Sequence, residues 1–444
     1  MELGGKKILV VGLGKTGIQT VRFLLKKRAD IRASDANPFE KLPGEAKEFQ
    51  DKGVKIEAGG HSNGMFLWAD TIVLSPGVPF GIPPVREALR RGIEVMSELE
   101  LAWRYVKKPV IAITGSNGKT TTSSLVAAIL RASGRKVFLG ANIGTPLIQI
   151  AEEDGAFDFL VLELSSFQLQ GISTFRPHIG VLLNISPNHL DHHESFDEYA
   201  CSKMRIFSNQ THLDCAVYNC DDPMIKESAL RIKSRKIPFG RTRAEGGVFL
   251  DGNSAMFGDE TYDLTAMKLI GMHNRENAMA AIASSRTLGC QPELIESEIV
   301  KFDPLPHRIE FVCEVKEVRF YDDSKSTSPG ATLRALESFS PPVILVAGGK
   351  DKGVSYEVLK DEIRGKVKLL VLFGESRFRM KSELGGEVDT ALASSLEEAV
   401  DKALMNVERG DTVLFSPSCS SFDMFNSYEE RGRKFKEIVQ NISV

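Results

Sequence analysis

One stretch of this sequence decides its fold class: Val110-Ile111-Ala112-Ile113-Thr114-Gly115-Ser116-Asn117-Gly118-Lys119-Thr120-Thr121. The apolar run predicts a buried strand, and the glycine-containing loop opens a segment rich in alanine and leucine that predicts a helix. The pattern departs from the Walker A pattern G-x-x-x-x-G-K-[ST] at Ile113, where the first glycine would fall. Loop amides can still cradle phosphates, Lys119 can reach the β- and γ-phosphates, and Thr120 can bind Mg²⁺. We therefore expect a nucleotide phosphate site here.

A second glycine-rich turn lies near the start, at Gly12-Leu13-Gly14-Lys15-Thr16-Gly17. It follows a predicted strand at 8–11 and opens a predicted helix, and Asp35 ends the next predicted strand. In this context the glycines let a pyrophosphate approach the backbone, and the helix N-terminus favours its charge. A tight strand–helix turn without a ligand is the alternative. Taken alone the pattern suggests NAD, but the loop at 115–121 argues against that ligand.

The rest of the chain repeats this alternation of short apolar runs and longer amphipathic segments, which predicts an α/β fold with parallel sheets. Predicted strands are 8–11, 31–34, 71–74, 110–114, 159–163, 179–184, 343–347, 369–373 and 412–416, and predicted helices include 16–28, 119–133 and 145–152. Breaks near residue 97 and at Asp303-Pro304-Leu305-Pro306 give three predicted domains, 1–97, 98–304 and 305–444. Ligands of such sheets bind beyond the carboxyl ends of the strands.

Two groups of polar residues follow predicted strands in the middle of the chain. Glu163 ends a buried strand, where a carboxylate suits the Mg²⁺ that carries ATP phosphates, although a solvated strand end is the alternative. The segment Asn188-His189-Leu190-Asp191-His192-His193 suggests zinc or a manganese phosphoesterase. Neither an H-E-x-x-H pattern nor the further aspartate motifs of those enzymes accompany it. His189 is the best functional candidate, and at least one neighbouring histidine is expected to be a plain loop residue.

The last third carries several polar segments beside apolar runs. They are Gly271-Met272-His273-Asn274-Arg275-Glu276-Asn277, Pro306-His307-Arg308, Tyr321-Asp322-Asp323-Ser324-Lys325-Ser326-Thr327, Ala347-Gly348-Gly349-Lys350-Asp351-Lys352-Gly353 and Phe415-Ser416-Pro417-Ser418-Cys419-Ser420-Ser421-Phe422-Asp423. Any one of them could be a solvated loop. Several together at the strand ends of one sheet predict a site for a polar ligand.

Composition excludes several classes of protein. The 444 residues include 56 Lys+Arg and 59 Asp+Glu, so the net charge of −3 indicates neither a nucleic acid nor a membrane partner. The 6 cysteines form no C-x-x-C pair and are expected to be reduced thiols. The apolar run at 8–11 is too short for a signal peptide, and no stretch approaches the roughly 18 apolar residues of a membrane span. We therefore expect a cytoplasmic protein.

The ordered set of motifs resembles the Mur ligases of peptidoglycan synthesis over the whole chain. The set is T-G-S-N-G-K-T, N-I-G (142–144), L-E-L-S-S-F-Q-L, N-H-L-D, H-N-x-x-N-A, P-H-R, D-S-K-S-T, A-G-G-x-D-K and S-P-x-x-x-S-F-D. Within that family L-E-L-S-S-F-Q-L resembles the segment of the D-glutamate-adding branch. The resemblance implies a Rossmann-like UDP-binding domain, a central P-loop-type ATPase domain with a mostly parallel sheet, and a C-terminal Rossmann-like α/β domain that binds the amino acid.

The resemblance also implies the substrates and the residues that bind them. UDP-N-acetylmuramoyl-L-alanine would contact Gly12, Leu13, Gly14, Lys15, Thr16, Gly17, Asp35, Ser75, Pro76, Gly77 and Asn142. ATP would contact Gly115, Ser116, Asn117, Gly118, Lys119, Thr120, Thr121, Asn277, Arg308 and Asp323. D-glutamate would contact Lys325, Thr327, Lys352, Ser421 and Phe422. Ala36-Asn37 departs from the family pattern, because the basic residue expected beside the uracil is absent.

The implied reaction is ATP-dependent addition of D-glutamate through an acyl phosphate. Lys119, His189 and Lys203 would be catalytic. One or two Mg²⁺ ions would bind Thr120, Glu163, His189 and Lys203, the last as a carbamylated lysine.

Three rival interpretations remain at this point. One is another Mur-type ligase or a folylpolyglutamate synthase. A second is an NAD(P) oxidoreductase, which leaves the Gly-Lys-Thr sequence unexplained. The third is a non-catalytic nucleotide-sensing module, which leaves the amino-acid site unexplained.

Overall fold

The computed structural model describes residues 2–186, 193 and 195–442. These residues form two compact units. The first comprises Met1–Thr265 and Glu276–Val300, and the second comprises Ala266–Arg275 and Lys301–Val444. The first unit holds two β-sheets and the second unit holds one.

The first sheet contains β1 (Lys7–Val11), β2 (Asp30–Asp35), β3 (Lys55–Ala58), β4 (Thr71–Leu74) and β5 (Glu94–Ser97). Its helices are α1 (Lys15–Lys26), α2 (Glu45–Asp51), α3 (Asn63–Trp68) and α4 (Pro83–Arg90). All pairs are parallel in the order β3-β2-β1-β4-β5. The order reverses between β1 and β4, which is where open α/β sheets leave a crevice for a ligand.

A helix, α5 (Glu98–Trp103), leads from the first sheet to the second. The second sheet contains β6 (Val110–Thr114), β7 (Val137–Ala141), β8 (Phe159–Glu163), β9 (Ile179–Leu182), β10 (Cys215–Asn219), β11 (Arg235–Gly240), β12 (Val248–Asp251), β13 (Ser254–Phe257) and β14 (Glu260–Asp263). Its order is β14-β13-β12-β11-β10-β9-β6-β8-β7, and only the β12-β13-β14 pairs are antiparallel among the described strands of this sheet. The helices are α6 (Lys119–Ala132), α7 (Ser166–Gln170), α8 (Phe196–Met204) and α9 (Pro223–Ala229), followed by α10 (Met272–Thr287) and α11 (Pro292–Lys301).

The third sheet contains β15 (Glu310–Val315), β16 (Val318–Asp322), β17 (Val343–Gly348), β18 (Val367–Phe373), β19 (Thr390–Leu392) and β20 (Thr412–Phe415). Its order is β15-β16-β20-β17-β18-β19, with β15 antiparallel and the other pairs parallel. The helices are α12 (Pro329–Glu337), α13 (Lys360–Lys366), α14 (Arg377–Leu384), α15 (Leu396–Leu404) and α16 (Tyr428–Ile442). Because β16, β20 and β17 are neighbours, the loops after them meet at one edge.

The cores follow from the apolar patterns. Every residue of β6 is buried, as expected for a parallel strand covered by helices on both faces. In α1 the side chains of Ile18, Val21 and Leu24 recur at helical spacing and are buried. That helix stops where Arg28 adopts a left-handed conformation with φ of 57°. The predicted α/β class with mostly parallel sheets is therefore confirmed, whereas the predicted domain limits at 97 and 304 stay predictions.

The predicted helix at 145–152 is wrong. The segment forms only a short 3₁₀ turn at Leu147–Gln149, because Thr145 bridges to Gly140 and Pro146 cannot donate a helical hydrogen bond. The N–H of Ile148 donates instead to the buried carboxylate of Glu98, 2.7 Å away. A tertiary contact thus replaces the helical bond that the local pattern predicted.

No helix in the described ranges combines the length and the apolar character that a bilayer crossing requires.

Candidate active site

A cavity of about 580 Å³ opens at the carboxyl edge of the first sheet. Its lining includes nine of the eleven predicted UDP-site residues: Gly12, Gly14, Lys15, Thr16, Asp35, Ser75, Pro76, Gly77 and Asn142. The other lining residues are Ala36, Asn37, His61, Val78, Pro79, Ile82 and Ala141.

 The other two predicted residues, Leu13 and Gly17, lie outside the lining. The sequence-predicted site and the cavity therefore largely coincide.

The glycine turn between β1 and α1 is closed by contacts that only small residues allow. A Cβ atom on Gly17 would lie 1.8 Å from the carbonyl oxygen of Gly12. The Ser75 hydroxyl donates to that same oxygen at 2.7 Å, so the loop after β4 is tied to the turn. The helix begins after Gly14, which offers no side-chain cap, and its first amides remain available to an anion.

Asp35 holds the turn from the end of β2. Its buried carboxylate accepts the N–H of Leu13 at 2.6 Å through one oxygen, and the N–H and side-chain amide of Asn37 at 2.8 and 3.0 Å through the other. Leu13 is thus a structural support of the site. Asp35 supports the turn and lines the cavity as well.

Asn142 links this cavity to the second sheet. Its side-chain amide donates to Glu163 at 2.8 Å, and its backbone N–H donates to the Glu163 carbonyl at 3.0 Å. Lys15 reaches across to the Gly144 carbonyl at 2.6 Å. The cavity therefore extends toward the end of β8, where Glu163 lies.

The loop between β6 and α6 is held by Asn184, which sequence reasoning did not select. The Asn184 side chain accepts the Asn117 N–H at 2.9 Å and donates to the Asn117 carbonyl at 3.2 Å, and its own carbonyl accepts the Ser116 N–H. Gly118 has φ of 83°, and a Cβ atom there would lie 2.3 Å from Oδ1 of Asn277. Asn277 therefore packs against the loop, and its role as an ATP contact stays a prediction.

Two lysines converge on this loop. Lys119 donates to the carbonyls of Gly115 and Ser116 at 2.8 and 2.9 Å, and the buried Lys203 donates to the Gly115 carbonyl at 2.9 Å. Burial, and then the nearby Lys119 cation, hold the pKa of Lys203 well below its usual range, while Glu163 opposes this effect. Burial therefore favours the neutral form of the Lys203 amine over the charged form.

Tyr199 is a second residue that the sequence did not single out. Its hydroxyl lies 2.8 Å from the Ser116 hydroxyl, and its ring lies under the Lys203 ammonium position at 4.6 Å. Burial raises the pKa of Tyr199 to about 12. An aromatic residue four positions before Lys203 on α8 is a signal that helical spacing could have revealed.

Two of the predicted metal ligands, Glu163 and Thr120, have the chemistry that a divalent cation requires. Glu163 is 3% exposed, and within the described residues its Oε2 atom is buried without a hydrogen-bond partner. Hard oxygen ligands of this kind suit Mg²⁺, and Thr120 at the start of α6 offers a hydroxyl. His189, the remaining predicted ligand apart from Lys203, lies outside the described residues.

His193 is a structural residue of the histidine segment. Its Nε2 atom lies 2.9 Å from the Ser166 hydroxyl, and its ring stacks on Phe167 at 5.2 Å. It is 4% exposed, so it anchors the chain before α8 against α7.

In the second unit, the loops after β16, β20 and β17 carry the other predicted residues. Buried Arg431 on α16 ties two of these loops together, because it donates to the Ser324 hydroxyl and carbonyl at 3.0 and 2.8 Å and to the Cys419 carbonyl at 3.0 Å. Burial lowers the pKa of Arg431 to about 10. No motif in the sequence marks this arginine, since it lies in an ordinary amphipathic helix.

Asp323 lies within this group rather than on its surface. Its carboxylate accepts the Ser416 hydroxyl at 2.8 Å and the Ile309 N–H at 3.3 Å. Burial raises the pKa of Asp323 to about 7. The predicted ATP contact therefore also joins two loops within its own unit.

The predicted D-glutamate residues are spread over the same edge. Lys352 donates to the Thr327 carbonyl at 3.5 Å, and the Lys325 ammonium lies 3.7 Å from the centre of the Tyr428 ring. Ser421 is 2% exposed, whereas Phe422 is 71% exposed. The structure thus brings the loops of Thr327 and Lys352 into contact.

A cluster of His307, Glu310 and Asp322 has the composition of a metal site. These residues already bind one another, because His307 Nδ1 lies 2.6 Å from Asp322 and the backbone N–H of His307 donates to Glu310 at 2.8 Å. Glu310 also forms an ion pair with Lys436 at 3.0 Å. The cluster therefore fixes the loop that carries the predicted ATP contact Arg308.

Comparison with known proteins identifies the class. Models described as Mur ligase MurD-like, N-terminal domain, Mur ligase middle domain, and Mur ligase, glutamate ligase domain match residues 6–97, 113–285 and 307–419. The chain belongs to the Mur ligase family.

Full-length relatives are similar to this chain. The UDP-N-acetylmuramoylalanine–D-glutamate ligase of Citrifermentans bemidjiense is 45% identical over 99% of this chain and 98% of its own length. The protein of the same name from Geotalea daltonii is 44% identical over 100% and 99%.

Solved structures share the fold at low identity. A pseudomurein peptide ligase type C from Methanothermus fervidus has a TM-score of 0.62 at 21% identity, covering 99% of this chain and 100% of its own. MurF ligase from Thermotoga maritima in complex with ADP has a TM-score of 0.61 at 19% identity, covering 99% and 96%.

Proposed function

We propose that this chain is an ATP-dependent ligase that adds D-glutamate to UDP-N-acetylmuramoyl-L-alanine during peptidoglycan precursor synthesis in the cytoplasm. The observation that carries the proposal is the bridge from the cavity to the phosphate loop. Asn142 lines the cavity and donates to Glu163, which lies beside Lys203 at the loop that carries Lys119. The substrate pair comes from the names of the full-length relatives.

In this proposal the nucleotide substrate lies along the cavity of the first sheet. Its diphosphate binds at the N-terminus of α1, where the turn at 12–17 lets the backbone approach. Its L-alanyl carboxylate points along the cavity toward Asn142, since the phosphate-transfer groups lie beyond that residue. The loop of Ser75, Pro76 and Gly77 lines the cavity between the proposed positions of the diphosphate and the carboxylate.

The reaction proceeds in two steps. The carboxylate attacks the γ-phosphorus of ATP, the bond to the ADP oxygen breaks, and an acyl phosphate forms. The amine of D-glutamate, after it loses a proton to solvent, attacks the acyl carbon, and the tetrahedral intermediate expels inorganic phosphate. Because the first step depends on positioning and charge neutralisation, the loop amides and Lys119 are its main protein contributors.

A divalent cation at this loop would bind Glu163 and Thr120, together with His189 and a carbamylated Lys203. When bound, Mg²⁺ neutralises phosphate charge. We infer the carbamate from the environment of Lys203: a buried amine of lowered pKa is a nucleophile for carbon dioxide. The new N–C bond forms as the neutral amine loses one proton to solvent and one C=O π bond of carbon dioxide breaks, which leaves a carbamate oxygen that can bind a cation.

The carbamate is tested with Lys203→Ala. The variant should lose most of its turnover, and added short carboxylates should partly restore it, whereas the exposed lysine variant Lys226→Ala should behave as the parent. Near-normal turnover of Lys203→Ala in buffer free of carbon dioxide would contradict the proposal that a carbamate on Lys203 is required.

The D-glutamate site is proposed at the edge formed by the loops after β16, β20 and β17. Two carboxylates that are buried during the reaction require partners. Lys325, Thr327, Lys352, Ser421 and Phe422 supply the cationic, hydroxyl and apolar groups, and Arg308 with Asp323 and Asn277 serve ATP. Lys352→Ala should raise the KM for D-glutamate at least about tenfold, because loss of a charged hydrogen-bond partner costs about 1.5–3 kcal/mol. An equal rise in the KM for ATP would reassign Lys352 to the nucleotide.

One assay tests the whole proposal. Phosphate release should require UDP-N-acetylmuramoyl-L-alanine, ATP and D-glutamate together, and L-glutamate should not replace the D-isomer. Release with another amino acid would favour a different Mur-type ligase, and release with a folate substrate would favour a folylpolyglutamate synthase. Reduction of NAD(P) without phosphate release would contradict the proposal outright.

A further inference from the structure

The end of the cavity that lies away from Asn142 has a polar group that the family resemblance did not assign. His61 follows β3 and lines the cavity beside Ala36 and Asn37. This is where the chain lacks the expected basic residue beside the uracil. Since the reactive carboxylate points toward Asn142, the nucleobase occupies the opposite end, near β2 and β3. That placement rests on the proposed function.

The hydrogen bonds of Ser34 determine which nitrogen of His61 faces a ligand. The Ser34 hydroxyl donates to the Gly60 carbonyl at 3.1 Å, because a carbonyl can only accept. The same hydroxyl oxygen lies 2.7 Å from Nδ1 of His61, so Nδ1 carries the proton and donates to it. In the described residues, nothing forms a hydrogen bond with Nε2 of His61.

The surroundings favour the uncharged ring. Burial lowers the pKa of His61 below its usual range, and the nearby Asp35 and Glu57 carboxylates only partly oppose this. An uncharged ring that is protonated on Nδ1 has a lone pair on Nε2. The ring is held on one side by Phe66, with the two centroids 6.0 Å apart. The side chain is therefore a fixed hydrogen-bond acceptor.

We propose that His61 determines nucleobase specificity, with its Nε2 atom accepting the N3–H group of uracil. Uracil has a donor at N3, whereas cytosine has an acceptor there, so two lone pairs would face each other if cytosine bound. Asp35 also lines the cavity and accepts hydrogen bonds from Leu13 and Asn37, so His61 is a second acceptor on this side of the cavity. His61 thus supplies a hydrogen-bond acceptor of fixed orientation where the expected basic residue is absent.

The test is calorimetric binding of UDP and CDP to the full chain. The parent should prefer UDP, and His61→Ala should weaken UDP binding by about three- to tenfold, the range of one hydrogen bond, while CDP binding stays unchanged or becomes stronger. Ser34→Ala, which frees the ring to change tautomer, should reduce the UDP preference in the same direction. The exposed histidine variant His212→Ala should leave both affinities unchanged.

Three outcomes would overturn the assignment. Equal losses of UDP and CDP would place His61 against the ribose, an unchanged preference would remove it from the base site, and no preference in the parent would mean that the base is not read here. Failure of the proposed function is a separate result. In that case UDP would not bind the parent protein at all, whatever residue stands at 61.

Discussion

Two glycine-rich turns of this chain look alike in sequence but are built differently. The turn at 12–17 is held from outside by the Asp35 carboxylate and the Ser75 hydroxyl, and it opens onto a cavity. The loop at 115–121 is held by the Asn184 amide, and two lysines donate to its Gly115 carbonyl. The first turn therefore combines its backbone amides with the cavity-lining Lys15, whereas the second has Lys119 and the buried Lys203 bonded to its own carbonyls.

The difference teaches that a glycine pattern specifies a close approach of backbone to ligand, not the ligand. The charged groups that surround each turn decide the chemistry. Lys203 and Glu163 come from distant parts of the chain, and Asn142 connects them to the cavity. The two turns can therefore be separated by mutation.

The largest expected effect separates them most directly. Lys119→Ala should reduce turnover at least about a hundredfold, since removal of one preorganised charge partner costs that much or more. Binding of the UDP substrate should be largely retained, because that ligand occupies the other turn. Calorimetric binding and phosphate release measure the two effects, and Lys136→Ala, which changes an exposed lysine just before β7, is the control. Loss of UDP-substrate binding by a folded Lys119→Ala variant would contradict the assignment of UDP binding to the turn at 12–17 and of phosphoryl transfer to the loop at 115–121.

The helix that joins the two sheets offers the next test. Burial raises the pKa of Glu98 on α5 to about 7, and its one hydrogen-bonded oxygen holds the turn that follows Asn142. A raised folded-state pKa means that this group stabilises the fold at low pH and that the contribution is lost between about pH 4.5 and 7. The stability of Glu98→Gln relative to the parent should therefore rise by roughly 2–3 kcal/mol between pH 5 and pH 8.

Glu100, two residues further along α5, is the matched control. Burial would raise its pKa, but hydrogen bonds from Thr174 and Ser173 outweigh burial and lower it. Its stabilisation is present above the unfolded-state pKa and is lost toward acid. Glu100→Gln should thus be more destabilising at pH 8 than at low pH, opposite to Glu98→Gln. Urea unfolding at several pH values measures both, and trends of the same sign would refute this account.

The smallest expected effect concerns the first turn alone. A methyl group on Gly17 would meet the Gly12 carbonyl oxygen at 1.8 Å, whereas one on Gly14 would meet nothing within 4 Å. Gly17→Ala should therefore cost about 1–3 kcal/mol of unfolding free energy and weaken UDP binding. Gly14→Ala should change stability by less than about 0.5 kcal/mol. Thermal unfolding compares the pair, and equal midpoints would show that the turn is not as tightly closed as described.

Local pattern was enough to predict most of the sheet strands. The strands at 71–74, 110–114 and 159–163 have the predicted limits, because buried parallel strands are continuous apolar runs. The helix at 145–152 failed, because the Glu98 carboxylate accepts the Ile148 N–H and Pro146 interrupts the pattern. The missing information was a contact made across 50 positions in sequence.

The candidate site also has some features that local sequence predicts and others that depend on tertiary contacts. By itself the sequence determined the two glycine turns, the strand-end position of Glu163 and the order of motifs, since each depends on residues close together in the chain. Asn184, Tyr199, Arg431 and His61 were not selected, because each acts through a partner far away in sequence. Only the tertiary structure decided that Asn142 joins the cavity to Glu163 and that Ser34 sets the exposed nitrogen of His61. Hydrogen bonds between separate strand ends exist only after the sheets have formed, so no local pattern can encode them.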